Sequence, residues 1–196
     1  LTRVRGVLEA GLRDLGAIDR NILSEADQVT LDVVTTSLSD NAADLSFEPS
    51  ARYPYVVSQL TGSYVGIPDF LASQHPITSR EQVDGYFSRI SAFAGVLDEE
   101  SRLVASDAGA GLVPPDFAID RALQQQETFA RTPAAQTAIV VSLADRLSNV
   151  ADIPEAERAG LVSRAEALVR DEVLPAYGRQ MDALRAIRAR ATHDAG

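Results

Sequence analysis

The 196-residue sequence predicts an all-α fold: an irregular array of six or seven helices with one long aromatic-rich loop. Three observations carry this. Apolar residues recur in steps of three and four, the spacing that lines one face of a helix. No stretch alternates apolar and polar residues for more than four positions, as a half-buried strand would. Helix start and stop signals fall between the periodic stretches. No low-complexity linker and no repeat of 20 to 50 residues divides the chain, so 1–196 reads as a single helical region.

In the first 22 residues, Val4, Leu8, Leu12, Leu15, Ile18 and Ile22 share one helical face. Gly6, Gly11 and Gly16 each weaken that helix by about 1 kcal/mol relative to alanine, so it needs a partner surface. Close backbone packing is one reason for the glycines; a frayed first segment is the other. Ser24 caps a second helix, with Asp27 three residues on, whose stripe is Leu31, Val34, Leu38, Ala42 and Leu45. Residues 46–77 read as irregular, because Pro49, Pro54, Pro68, Pro76, Gly62 and Gly66 stop regular elements. A short helix over 68–74 fits, with Pro68 in its first turn. Phe47, Tyr53, Tyr55, Tyr64 and Phe70 cluster in this loop; they either pack it or line a ligand pocket.

Thr78 to Glu81 has the T-x-x-E spacing of a capping box. The helix it opens buries Val83, Phe87, Ile90, Ala94, Leu97 and Val104, and Gly109 and Gly111 end it. After the break Val113-Pro114-Pro115-Asp116, the residues Phe117, Ala118, Ala122 and Leu123 start a helix to about Ala130. Thr132-Pro133 signals another start, filled by Ile139, Leu143 and Leu147. Asp152-Ile153-Pro154 opens the last helix, with Leu161, Ala165, Leu168, Leu184 and Ile187 inward. Pro175 lies inside this pattern and clashes with the carbonyl of Asp171, which predicts a kink.

Composition narrows the chemistry. Eighteen basic residues, all arginine, face 28 acidic ones, for a net charge of −10 and a pI near 4.6. That balance argues against nucleic acid and against anionic membrane surfaces as partners. No apolar run approaches the roughly 18 to 20 residues that span a bilayer. Without cysteine there is no thiol nucleophile, disulfide or thiolate metal site. Without lysine there is no Schiff base and no phosphate-loop lysine. The two histidines, His75 and His193, lie too far apart for a local two-histidine metal motif.

The remaining candidates read as structure. His75, in Ser73-Gln74-His75-Pro76, lacks a carboxylate at a recognised spacing and reads as a loop histidine bonded to backbone. His193 sits beside Asp194 near the chain end. The run Gly62 to Gly66 lacks the spacing and the preceding strand of a nucleophile elbow. Gly109-Ala110-Gly111 lacks a third glycine for dinucleotide binding. Asp98, Glu99 and Glu100 point about 100° apart and read as a solvated helix face. Arg185, Arg188 and Arg190 form a small basic patch suited to a helix C-terminal turn. From these residues alone, no catalytic, cofactor-binding or metal-binding position emerges.

An ordered set of short motifs adds a family. Tyr53 to Gly62 (YPYVVSQLTG), Ile67 to Phe70, Gln74 to Ile77, Tyr86 to Ile90, Gly111 to Phe117 and Leu174 to Tyr177 together resemble the bacterial domain of unknown function family 885. The resemblance covers nearly the whole chain. It implies a helical, zinc-metallopeptidase-like hydrolase of the thermolysin-like clan, of which 1–196 is the N-terminal part. The zinc and its catalytic segment belong downstream, so no catalytic residue carries over to a position here. The resemblance also implies partners: the remainder of the polypeptide, and a peptide substrate in the full-length protein. It favours a periplasmic or secreted location over a cytoplasmic one. This segment would wall the substrate channel, with Tyr53, Tyr55 and Tyr64 as candidate lining residues. The alternative is a stand-alone, non-catalytic helical binding or interaction module.

Overall fold

The structure, a computed structural model, describes residues 2–45 and 55–194. Among them there are seven helices and no strand, as the apolar spacing predicts. The chain divides into two compact units, residues 1–54 and 55–196.

The first unit pairs α1 (Thr2–Gly16) with α2 (Glu25–Asp44) through a 3-10 turn, Arg20–Ile22. Ser24 caps α2 as expected: its Oγ accepts from the Asp27 amide at 3.2 Å and its hydroxyl donates to the Asp27 carboxylate at 2.6 Å. Arg5 donates to the carbonyl of Leu45 at the far end of α2 (2.7 Å), satisfying one of its orphan acceptors. A Cβ at Gly11 would sit 3.2 Å from Leu38 Cδ1, so this glycine lets the helices approach. Gly6 and Gly16 face open space. The buried stripe of α2 is shifted from the expected one: Thr35, not Val34, lies half-buried with Leu31, Leu38, Ala42 and Leu45. No described residue of this unit is fully buried. Val4, Ile18 and Ile22, expected on the inner face of α1, are exposed.

The second unit is organised on α4 (Arg80–Gly109), a rod of about 45 Å at the usual helical rise. Around it lie α3 (Ser63–Asp69, continued by a π-turn, Phe70–Gln74), α5 (Asp116–Arg131), α6 (Ala138–Leu147) and α7. The last is one run, 155–188, made of Glu155–Leu168, a π-turn at Val169–Val173, and Leu174–Arg188. The inner face of α4 carries Val83, Phe87, Ile90, Leu97 and Val104 as predicted, and also Tyr86, Phe93 and Glu100; Ala94 is only half-buried. The disturbance expected at Pro175 takes the form of the π-turn just before it. There the Leu174 amide reaches back five residues to the Val169 carbonyl. A wider turn absorbs the missing proline donor without ending the helix.

The cap of α4 lies one residue later than the T-x-x-E pattern suggested. Ser79 is the N-cap and accepts from the Gln82 amide (3.4 Å). Gln82 Oε1 accepts from the backbone N–H and hydroxyl of Thr78 (2.7 and 2.8 Å). The Arg80 amide, in the first turn, is taken by Asp152 at 3.0 Å, a long-range contact.

Candidate functional site

The face built by α3 and α4 holds two of the loop aromatics singled out by the sequence, Tyr64 and Phe70, while Phe47 lies outside the described residues. α3 begins earlier than expected, at Ser63, and Pro68 sits inside it rather than at its start. A glycine turn and two distant side chains make this tolerable. Gly62, at φ 116°, turns the chain into the helix, and a Cβ there would meet Tyr64 at 3.0 Å. The Ser63 amide is capped by Glu100 of α4 (2.8 Å), a carboxylate at a helix N-terminus. Pro68 leaves the carbonyl of Tyr64 without its usual i+4 donor, and the hydroxyl of Tyr177 donates to that carbonyl at 2.6 Å.

These groups form a closed polar cluster. Glu100 is 8% exposed, so the expectation of a solvated Asp98-Glu99-Glu100 face fails at its third member. Asp98 pairs with Arg179 and Glu99 with Arg102, while Glu100 turns inward and accepts from Gln180 Nε2 at 3.0 Å. The three diverge because consecutive helical positions point about 100° apart. The Tyr64 hydroxyl lies 2.8 Å from the Ser58 carbonyl and 2.5 Å from the Gln125 side chain. Burial, and then the Glu100 charge, push the Tyr64 phenol up to about 12. Tyr177 is raised further by the same burial and by both neighbours. Its ring stacks on Phe129 (4.5 Å between centroids) and meets Phe93 edge-on.

The π-turn of α3 is clasped from α6. Arg146 donates to the carbonyls of His75 (2.5 Å) and Leu71 (2.7 Å), and Ser142 to that of Ala72 (2.6 Å). The backbone acceptors freed at the helix end are thus satisfied. His75 behaves as the sequence suggested: its Nε2 bonds the Gln82 carbonyl (2.8 Å), which makes that nitrogen the donor. Its ring is buried against Tyr86 and Phe70, and Nδ1 has no partner. Burial raises the Tyr86 phenol to about 12, opposed in part by Arg146.

Outside this clasp, α3 and α4 leave a shallow apolar groove of about 290 Å³. Ile67, Phe70 and Leu71 line one side, and Ala92, Phe93 and Val96 the other. Phe70 and Val96 each remain 37% exposed. Arg89 stands at its edge, its guanidinium 5.8 Å from the centre of the Phe70 ring.

The three candidate lining tyrosines separate. Tyr53 lies outside the described residues. Tyr55 is 37% exposed, with a left-handed φ of 65° rare for a bulky residue, and Thr61 bonds its carbonyl at 3.0 Å. Tyr64 is buried and its hydroxyl is engaged inside the cluster. The basic patch near the end is engaged within the fold: Arg185 bonds Glu127 and Asp182, Arg188 bonds Asp120, and Arg190 donates to the Ala108 carbonyl. His193 Nδ1 lies 2.8 Å from the Asp116 carboxylate.

Among the described residues no three His, Asp or Glu side chains gather to hold a metal ion. These residues therefore do not fit zinc: His75 faces aromatic rings and backbone, and His193 meets one carboxylate. No helix among them is long and apolar enough to cross a membrane.

A helical scaffold with ordered aromatic and Pro motifs defines the class, and comparison with known proteins gives the family. The chain belongs to the family described as bacterial protein of unknown function (DUF885), which matches residues 2–196. A crystal structure of a Colwellia psychrerythraea protein, described as a lipoprotein, shares the fold with a TM-score of 0.82 at 20% identity. The match covers 98% of this chain and 34% of that one, so this chain spans about a third of its length. No curated protein matches.

Proposed function

We propose that this chain is the helical wall of a substrate channel in a larger, zinc-dependent, peptidase-like hydrolase. The metal ligands and the chemical step belong to polypeptide beyond these 196 residues. The observation that carries the reading is the alignment: nearly all of this chain corresponds to one third of a longer protein of the same fold. The geometry supports a framework role. Glu100, Tyr177, Arg146 and Ser142 are committed to helix ends and orphan carbonyls, which makes the α3–α4 face rigid. Rigid elements are what position a substrate well. The face they hold carries the exposed groove, and Tyr55 is the described candidate tyrosine whose ring reaches the surface. The lipoprotein description of the Colwellia protein favours a periplasmic or secreted location.

The test is zinc content and peptide hydrolysis by the longest natural polypeptide that carries these residues. The reading predicts bound zinc and hydrolysis that a chelator stops. A metal-free polypeptide that hydrolyses no peptide would sink it. A second reading, a stand-alone helical interaction module, is favoured by the continuous core of the second unit, where Leu71, Ile90, Leu97, Leu143 and Leu184 are fully buried. It predicts that the 196-residue chain is the whole natural product.

A further inference from the structure

The groove between α3 and α4 has one charge at its edge, and that charge is left uncommitted. Arg89 Nη1 donates only to the Gly85 carbonyl, at 3.2 Å, and the rest of the guanidinium lies against Phe70 and solvent. Among the described residues no carboxylate pairs with it, although the chain holds 28 acidic residues. Two arginines on other helices show the paired alternative: Arg179 grips Asp98 with two bonds and Arg188 grips Asp120 likewise. Beside the free guanidinium lie Phe70, Ala92 and Val96, with Phe93 and Leu71 forming the floor. A planar fork of donors next to an apolar trough complements a carboxylate attached to an apolar side chain.

We propose that this groove is a subsite for the C-terminal end of a peptide with an apolar last residue. The side chain enters between Phe70 and Val96, and the terminal carboxylate meets Arg89. The inference rests on the peptide-channel reading for its biological setting, but its test does not depend on turnover.

The experiment is an NMR titration of the 196-residue chain with N-acetyl-leucyl-leucine, its C-terminal amide, and octanoate. The acid should shift signals of Ile67, Phe70, Arg89 and Val96, and bind about fivefold more tightly than the amide, as an exposed charge pair allows. Arg89→Gln should erase that preference while leaving the circular dichroism spectrum unchanged. Val96→Glu should abolish binding of the acid altogether. No shift up to the order of 10 mM ligand, or equal binding of acid and amide, overturns the proposal. Octanoate binding more tightly than the peptide acid also overturns it, because the groove would then be an acyl-chain site. Groove binding by a polypeptide that never hydrolyses peptides would leave the subsite standing and remove only the hydrolase reading.

Discussion

Replacing Tyr177 by phenylalanine tests how α3 survives its internal proline. The phenol is fully buried and donates at 2.6 Å to the Tyr64 carbonyl, the acceptor that Pro68 cannot serve. Tyr177→Phe keeps the stacking on Phe129 and removes only the donor. A buried carbonyl left without a partner costs about 1 to 3 kcal/mol. With a urea m-value of about 2 kcal/mol/M, a loss of about 2 kcal/mol lowers the unfolding midpoint by about 1 M. Pro68→Ala supplies the missing amide N–H to the same carbonyl, which can accept two bonds. In that background Tyr177→Phe should cost only the net worth of one redundant bond, about 0.5 to 1.5 kcal/mol. The change in unfolded-chain entropy from losing proline is common to both arms and cancels in the cycle. Urea unfolding of the four proteins, followed by far-UV circular dichroism, gives the coupling. Equal costs of Tyr177→Phe in the two backgrounds would refute the idea that the hydroxyl substitutes for the proline's missing donor.

Three other outcomes follow from the same contacts. Glu100→Ala removes the acceptor of the Ser63 amide and of Gln180, and should cost about 2 to 4 kcal/mol in urea unfolding; a surface-like loss below about 0.5 kcal/mol would contradict its role as a remote cap. Tyr64 and Tyr86 have phenols raised from 10.0 to about 12 in the fold, so the stability they contribute is complete below pH 10 and is lost as pH rises towards 12. Tyrosinate absorbance should therefore appear together with unfolding for Tyr64, Tyr86 and Tyr177, and phenols that ionise at pH 10 with the fold intact would contradict the burial account. Arg146→Met removes the clasp on the Leu71 and His75 carbonyls and should raise amide exchange at the end of α3 more than in α4, with uniform exchange the contrary result.

The sequence made the long-helix parts of the fold readable and left α3 obscure, for a physical reason. The stripe of α4 and the Ser24 cap depend on residues within a turn or two, so spacing reveals them. The helix at Ser63 does not. Gly62, Gly66 and Pro68 read as breakers, and what overrides them comes from Glu100, 37 positions away, and Tyr177, 113 positions away. The same remoteness hid the inward turn of Glu100, which looks like a surface residue in a local reading, whereas Tyr64 packs the segment, one of the two roles its aromatic cluster suggested. The T-x-x-E box at Thr78 misses the observed N-cap, Ser79, by one residue, and the Arg80 amide that follows is held by Asp152 from a distant loop. The groove was half-visible: Phe70 stood out as one of the loop aromatics, but nothing local says that Arg89 and Val96 flank it across α4.

As the proposed wall of a substrate path, this chain would shape that path and take no part in the chemistry. The most direct test of this claim is Tyr55→Ala in the longest natural polypeptide that carries these residues, with peptide KM, kcat and zinc stoichiometry measured together. A raised KM with unchanged kcat and unchanged zinc is the predicted result. Loss of zinc would place a metal ligand's support in this chain, and unchanged KM and kcat would take Tyr55 out of the path; either contradicts the claim.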